Sequence, residues 1–164
     1  MKRGLVRLSA FVFVLASCNS GYIYTDYVDF SGECWNNDDT VTFHIPKDFI
    51  KKGRTPKLAV RTSEKYKYET LNVLVEQMGG KSVLRDTLSI ELFDENGRST
   101  GKGLVHQETT IALQTIEFDT VDYCCRIYSL MHSTPVEGIS SLGLLLSESV
   151  EENIGEDYCS EDAE

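Results

Sequence analysis

The chain offers few residues with chemistry beyond ordinary acid–base titration: five cysteines, three histidines and one tryptophan. Cys34, Cys124, Cys125 and Cys159 all follow Cys18 in the chain. In an oxidising compartment such thiols form disulfides, and four of them allow three connectivities. Adjacent residues on a strand point to opposite faces, so Cys124 and Cys125 are poor partners for each other. The expected bridge is Cys34 with Cys124 or Cys125, the alternative being free or buried thiols. No CxxC occurs, and no histidine stands near a cysteine at ligand spacing, so no metal site is expected. His44, His106 and His132 are scattered. No GxSxG elbow accompanies the serines, no glycine-rich loop opens a helix, and no carboxylate spacing favours a glycosidase pair. The expectation is a protein with no catalytic residues and no cofactor.

The amino terminus carries a different kind of chemistry. Lys2, Arg3 and Arg7 precede a short apolar run, Leu8 to Ala16. That run is shorter than the ~20 residues a membrane-spanning helix needs. It has the form of an export signal. It ends Leu15-Ala16-Ser17-Cys18, a bacterial lipobox. In such a leader the Cys18 thiol receives diacylglycerol, and a peptidase then cuts before Cys18. Several acyl chains on one residue supply the second signal that stable membrane attachment requires. Removing residues 1–17 takes away three basic residues and no acid, so the formal charge moves from −10 to −13. Such a chain repels nucleic acid and anionic lipid. From Ser147 onward stand eight acids and no base, which reads as a solvated tail.

These residues need a scaffold, and the hydrophobic pattern supplies one. Val41, Phe43 and Ile45 alternate with Thr42 and His44, and Pro46 stops that strand. Leu58, Val60 and Thr62 form the next alternating set. Leu71 to Met78 is apolar on both faces, as a strand internal to a sheet would be. Leu88, Ile90 and Leu92 alternate with polar neighbours, the mark of a half-buried strand, which if central to an antiparallel sheet would find partners on either side. Asp94-Glu95-Asn96-Gly97 turns the chain, and Gly101 and Gly103 are read as keeping the following connection loose. A strand is predicted from Thr110 to Phe118, with a bulge between Leu113 and Ile116. Tyr123, Cys125 and Ile127 share one face of another strand, and Leu142, Leu144 and Leu146 point inward on the last. Seven or eight short strands with turn signals between them predict an all-β, jelly-roll-like antiparallel sandwich in one domain. The boundaries read from sequence are signal peptide 1–17, anchor and tether 18–30 with a first edge strand, sandwich 31–148, and acidic tail 149–164.

The stretch from Pro56 to Ser147 resembles the GldH family of gliding-motility lipoproteins from the Bacteroidota. The resemblance rests on Arg61, Tyr66 and Tyr68, then Asp86-Thr87, Leu92-Phe93-Asp94 and glycines 97, 101 and 103. Tyr123, Arg126, Ile127, Met131, Gly138-Ile139 and Leu142-Gly143-Leu144 continue it, and Trp35 and the lipobox precede it. The resemblance implies a β-sandwich lipoprotein of the outer membrane. In gliding members it supports a motility apparatus associated with type IX secretion. It carries no catalytic residues.

Two function classes follow. One is a non-catalytic accessory component of an envelope assembly, periplasm-facing, with envelope proteins as partners. The other is a membrane-anchored module for carbohydrate or another ligand. An exposed Trp35 beside tyrosines would mark the sugar-binding module, and a buried one the accessory component. The lipobox itself generates a prediction. Cys18→Ser should release the protein from membranes and stop its fatty-acid labelling; labelling that persists in this variant would refute Cys18 as the anchor.

Overall fold

The computed structural model describes residues 21–51, 53–80, 82–114 and 123–148. The leader, Cys18, Cys159, the acidic tail and the bulge expected before Ile116 lie outside the described residues. Eight longer strands form two four-stranded antiparallel sheets. The first sheet, A, has the order β1 (Tyr22–Asp29), β10 (Ile139–Glu148), β4 (Arg54–Thr62), β7 (Gln107–Ala112). The second, C, has the order β3 (Val41–Ile45), β8 (Tyr123–Ser129), β5 (Thr70–Gly79), β6 (Ser82–Glu91). A two-stranded ribbon, β2 (Cys34–Trp35) with β9 (Val136–Glu137), sits between them in the chain. The first strand pairs with the last, β3 with β8, β4 with β7, and β5 with β6. That nested pairing is a jelly roll, a long antiparallel hairpin rolled into two facing sheets.

Alternation builds the core. Val41, Phe43 and Ile45 are buried while Thr42 and His44 are exposed. Leu71, Val73 and Val75 face inward from β5, Cys125 and Ile127 from β8, and Leu142, Leu144 and Leu146 from β10. Leu58 and Val60 meet them from β4. One polar pair is admitted: the Tyr123 hydroxyl donates to Gln77 Oε1 at 2.7 Å. Both residues are buried, and a buried polar group left without a partner is costly.

Three readings of the sequence need correction here. The strand carrying Leu88 and Ile90 lies at the edge of its sheet, not the centre. Period two reports one buried face and is silent on how many neighbours a strand has. Asp86 sits on its core-facing side between Leu84 and Leu88, a charge that discourages pairing with another chain. Next, sheet A already begins at Tyr22, ahead of the boundary drawn at residue 31. Last, the connection after Gly97 is tied down. Gly97 takes the expected positive φ of 71°, but a Cβ at Gly101 would stand 2.8 Å from the Glu108 carbonyl carbon. Glycine there allows close approach rather than slack.

On the outer face of sheet C, Glu76 is only 6% exposed. Arg85 Nε lies 2.7 Å from its Oε1 and Arg126 Nη1 3.4 Å from its Oε2. The hydrogen bond from Arg85 holds the Glu76 carboxyl below the usual carboxylate range. A lowered value means stability that is present above that range and lost as pH falls through it. Glu76→Gln should therefore flatten the fall in urea midpoint between about pH 5 and pH 3 relative to the parent; identical slopes would remove Glu76 from the acid response. Ile90 is 2% exposed, and Ile90→Ala should cost about 2–5 kcal/mol in denaturant unfolding.

Candidate functional site

The jelly roll sorts its connections to two ends. The chain enters β1 at Tyr22 opposite Ser147 of β10, so entry and exit lie together at one end. The stretches linking β1 to β3, β4 to β5, β6 to β7 and β8 to β10 all lie at the other, distal end. Five large apolar side chains are exposed among the described residues. Four of them, Tyr68, Leu104, Val105 and Leu130, sit on these distal connections.

Beneath the loops the end is closed. Trp35 is fully buried. Its ring stacks on Phe30 at 5.5 Å and 17°, and its indole N–H donates to the Asp39 carbonyl at 2.8 Å. Trp35 thus covers one end of the core, and a sugar-stacking platform built on it is ruled out. Tyr66 stacks with Phe93 at 6.2 Å, and its hydroxyl donates to the Thr70 carbonyl at 2.8 Å. Burial pushes that phenol well above its ordinary value.

From this floor rises a braced finger. Lys102 and Glu108 exchange two backbone hydrogen bonds, at 3.0 and 2.9 Å. Gln107 Nε2 donates to the Gly103 carbonyl at 2.8 Å. Below, the Thr100 N–H donates to the Leu92 carbonyl at 3.0 Å, and the Thr100 hydroxyl to the Glu91 carbonyl at 2.7 Å. Leu104 at the tip is wholly exposed and Val105 is 77% exposed. Two adjacent apolar residues are thus held in water at the tip of a narrow, strapped hairpin. The signal in the sequence was an adjacent apolar pair with no alternation, just past Gly103. The loop from Gly97 to Gly103 forms the brace of the finger.

Two shallow depressions flank the finger's end of the molecule. One is lined by Glu33, Ser63, Lys65, Leu104, Val105 and His106. The other is lined by Lys67, Tyr68, Asn72, Leu130, Met131 and His132 among others. Glu33 has a positive φ of 59°, uncommon for a residue with a side chain. It is held there on several sides. Its carbonyl accepts from Gly138 N–H at 2.8 Å, its carboxylate accepts from the Ser63 hydroxyl at 3.0 Å, and Lys65 Nζ lies at 2.9 Å. The Lys65 contact, with help from Ser63, lowers the Glu33 carboxyl from its ordinary value. Lys67 and Glu137 pair beside it at 3.4 Å. The distal connections still carry more acids than bases, as does the chain as a whole.

The outer face of sheet A is locked by one side chain. Tyr27 reaches from β1 across Gly143 of β10, and its hydroxyl donates to Glu108 Oε2 of β7 at 3.1 Å. Arg61 of β4 donates to the same oxygen at 2.7 Å and stacks on the ring at 4.0 Å. Any side chain at Gly143 would strike the ring. Burial, with the Glu108 charge next, pushes the Tyr27 phenol up to about 12. With Arg61 over the ring and Gly143 against it, this cluster ties four strands together.

The remaining sequence candidates fall apart in space. Cys34, Cys124 and Cys125 are free thiols, so the bridge from Cys34 to Cys124 or Cys125 is not formed. Cys34 lies on the β2–β9 ribbon, whereas the other two belong to β8 within sheet C. Cys125 faces the core and Cys124 faces outward, as alternation requires. His44, His106 and His132 stand on different elements. Among the described residues, no group of three histidines, cysteines or carboxylates is placed to hold a metal ion. No helix among them is long and apolar enough to cross a membrane.

Comparison with known proteins gives one decisive match. No curated protein matches the chain. Among solved structures, a family GH115 4-O-methyl-α-glucuronidase with specificity for decorated arabinogalactans is similar at 13% identity and a TM-score of 0.40. The similarity covers 79% of this chain but 17% of that enzyme. The family model described as GldH lipoprotein matches residues 22–146, from the first residue of β1 to the end of the buried leucines of β10. The chain belongs to the GldH lipoprotein family.

Proposed function

We propose that this GldH-family lipoprotein is a non-catalytic accessory component of a cell-envelope assembly, carried on the outer membrane by an acylated Cys18 and facing the periplasm. In gliding Bacteroidota that assembly would be the motility apparatus associated with type IX secretion. The observation that carries the reading is the placement of Leu104 and Val105. They stand at the end of the jelly roll opposite the strand end that leads back to Cys18. Three residues, Asn19, Ser20 and Gly21, separate Cys18 from Tyr22, a reach of at most about 14 Å over the four steps. A ten-residue strand such as β10 spans roughly 34 Å. The anchor therefore holds the base of the domain near the bilayer, and the apolar finger projects away from it. An apolar surface aimed away from its own membrane suits a protein partner. The buried Trp35 favours this reading over the carbohydrate module.

The test is site-specific photo-crosslinking from position 104 in full-length lipoprotein in cells, followed by mass spectrometry. The expected result is a defined envelope protein, with the yield falling at least about tenfold in a Leu104→Glu/Val105→Glu variant whose thermal midpoint is unchanged, since both side chains are outside the core. Crosslinks to lipid alone, or a yield indifferent to the two substitutions, would overturn the docking role.

A further inference from the structure

Sheet C brings together three side chains that lie far apart in sequence. His44 of β3 is directly opposite Cys124 of β8, and Cys124 is directly opposite Met78 of β5. All three project from the outer face. Their neighbours Phe43, Ile45, Cys125, Gln77 and Gly79 are buried, whereas His44 is exposed and Cys124 and Met78 are half-buried. Directly opposed residues on antiparallel strands have Cβ atoms about 4.5–5.5 Å apart. An imidazole, a thiol and a thioether thus form one row across three adjacent strands, with the sulfur of Cys124 in the middle.

We propose that His44, Cys124 and Met78 form a binding site for a soft monovalent metal ion, Cu(I). Thiolate and thioether ligands select soft ions, and imidazole suits copper as well. Harder ions lack what they need here. The nearest carboxylate on this face, Glu76, is already held by Arg85 and Arg126, and the row supplies only two of the ligands a zinc site would draw on. Binding forms a bond from copper to the Cys124 sulfur and releases the thiol proton to solvent, with no change of oxidation state. The site is independent of the distal finger, which lies at the opposite end of the strands.

The test is an anaerobic Cu(I) titration of the full-length lipoprotein in detergent against a chromophoric Cu(I) chelator. Cys34 and Cys159 are replaced by serine so that they do not compete. One equivalent of Cu(I) should be withheld from the chelator. Cys124→Ala should abolish retention. His44→Gln and Met78→Leu should each weaken it by at least about tenfold, since even outer-shell partners of a metal site are worth that much. X-ray absorption of the loaded protein should show mixed sulfur and nitrogen ligation. Three results would overturn the site: no Cu(I) retained by the parent, retention unchanged in Cys124→Ala, or affinity unchanged in both His44→Gln and Met78→Leu. The last two variants alter exposed or half-exposed side chains, so the test stands even if Cys124→Ala fails to fold.

Discussion

The antiparallel pairing of the first strand with the last governs this molecule. β1 lies against β10 from Tyr22 opposite Ser147 to Asp29 opposite Ser141. Closing that pair brings the two ends of the sandwich sequence to one pole. Every later pair nests inside it, so the links from β1 to β3, β4 to β5, β6 to β7 and β8 to β10 fall at the other pole. The β1 edge needs holding, because an edge strand has backbone partners on one side only. Tyr27 provides part of the hold by crossing Gly143 to the Arg61–Glu108 pair. Tyr24 provides more, its hydroxyl donating to the His44 carbonyl of β3 at 3.2 Å and so linking the two sheets at that edge.

That arrangement explains how a small acidic domain presents a partly apolar face. The excess of carboxylates is spread along the chain, with a run after Ser147. At the distal pole Lys65 and Lys67 find Glu33 and Glu137. Exposed ion pairs of this kind contribute little to stability. Their effect is local: each lysine offsets one carboxylate at the distal end. The finger is stiffened by backbone hydrogen bonds to β7 and to the end of β6, so its apolar tip is presented without an ordering cost at the moment of contact.

The two outer sheet faces differ in the same physical terms. Sheet A closes its face with an aromatic ring stacked against Arg61 and hydrogen-bonded to Glu108. Sheet C closes its centre with Glu76 between two arginines and leaves a row of sulfur and imidazole beyond it. Neither face depends on residues near one another in the chain. Tyr27 and Glu108, or His44 and Cys124, become neighbours only through strand pairing.

Alternation alone determined much of this protein. Phe43, Ile90, Ile127 and Leu144 were legible as core residues because a pleated strand puts every second side chain on one face. The turn at Gly97 and the end of β3 at Pro46 were legible from local backbone chemistry. The address was legible too, as an expectation written in a charged leader and a cysteine after two small residues. Tertiary structure decided the rest. The edge position of β6 depends on which strand pairs with which, and period two carries no such information. Gly101 read as slack because glycine is permissive, whereas contact with Glu108 makes it a point of close approach. Leu104 and Val105 read as an unremarked apolar pair because exposure at a hairpin tip is a property of the fold. The bridge expected at Cys34 was reasoned from composition and face alone. Cys34 was placed on a separate ribbon and its candidate partners within sheet C by pairings of residues far apart in the chain, and those contacts exist only once the sheets have formed.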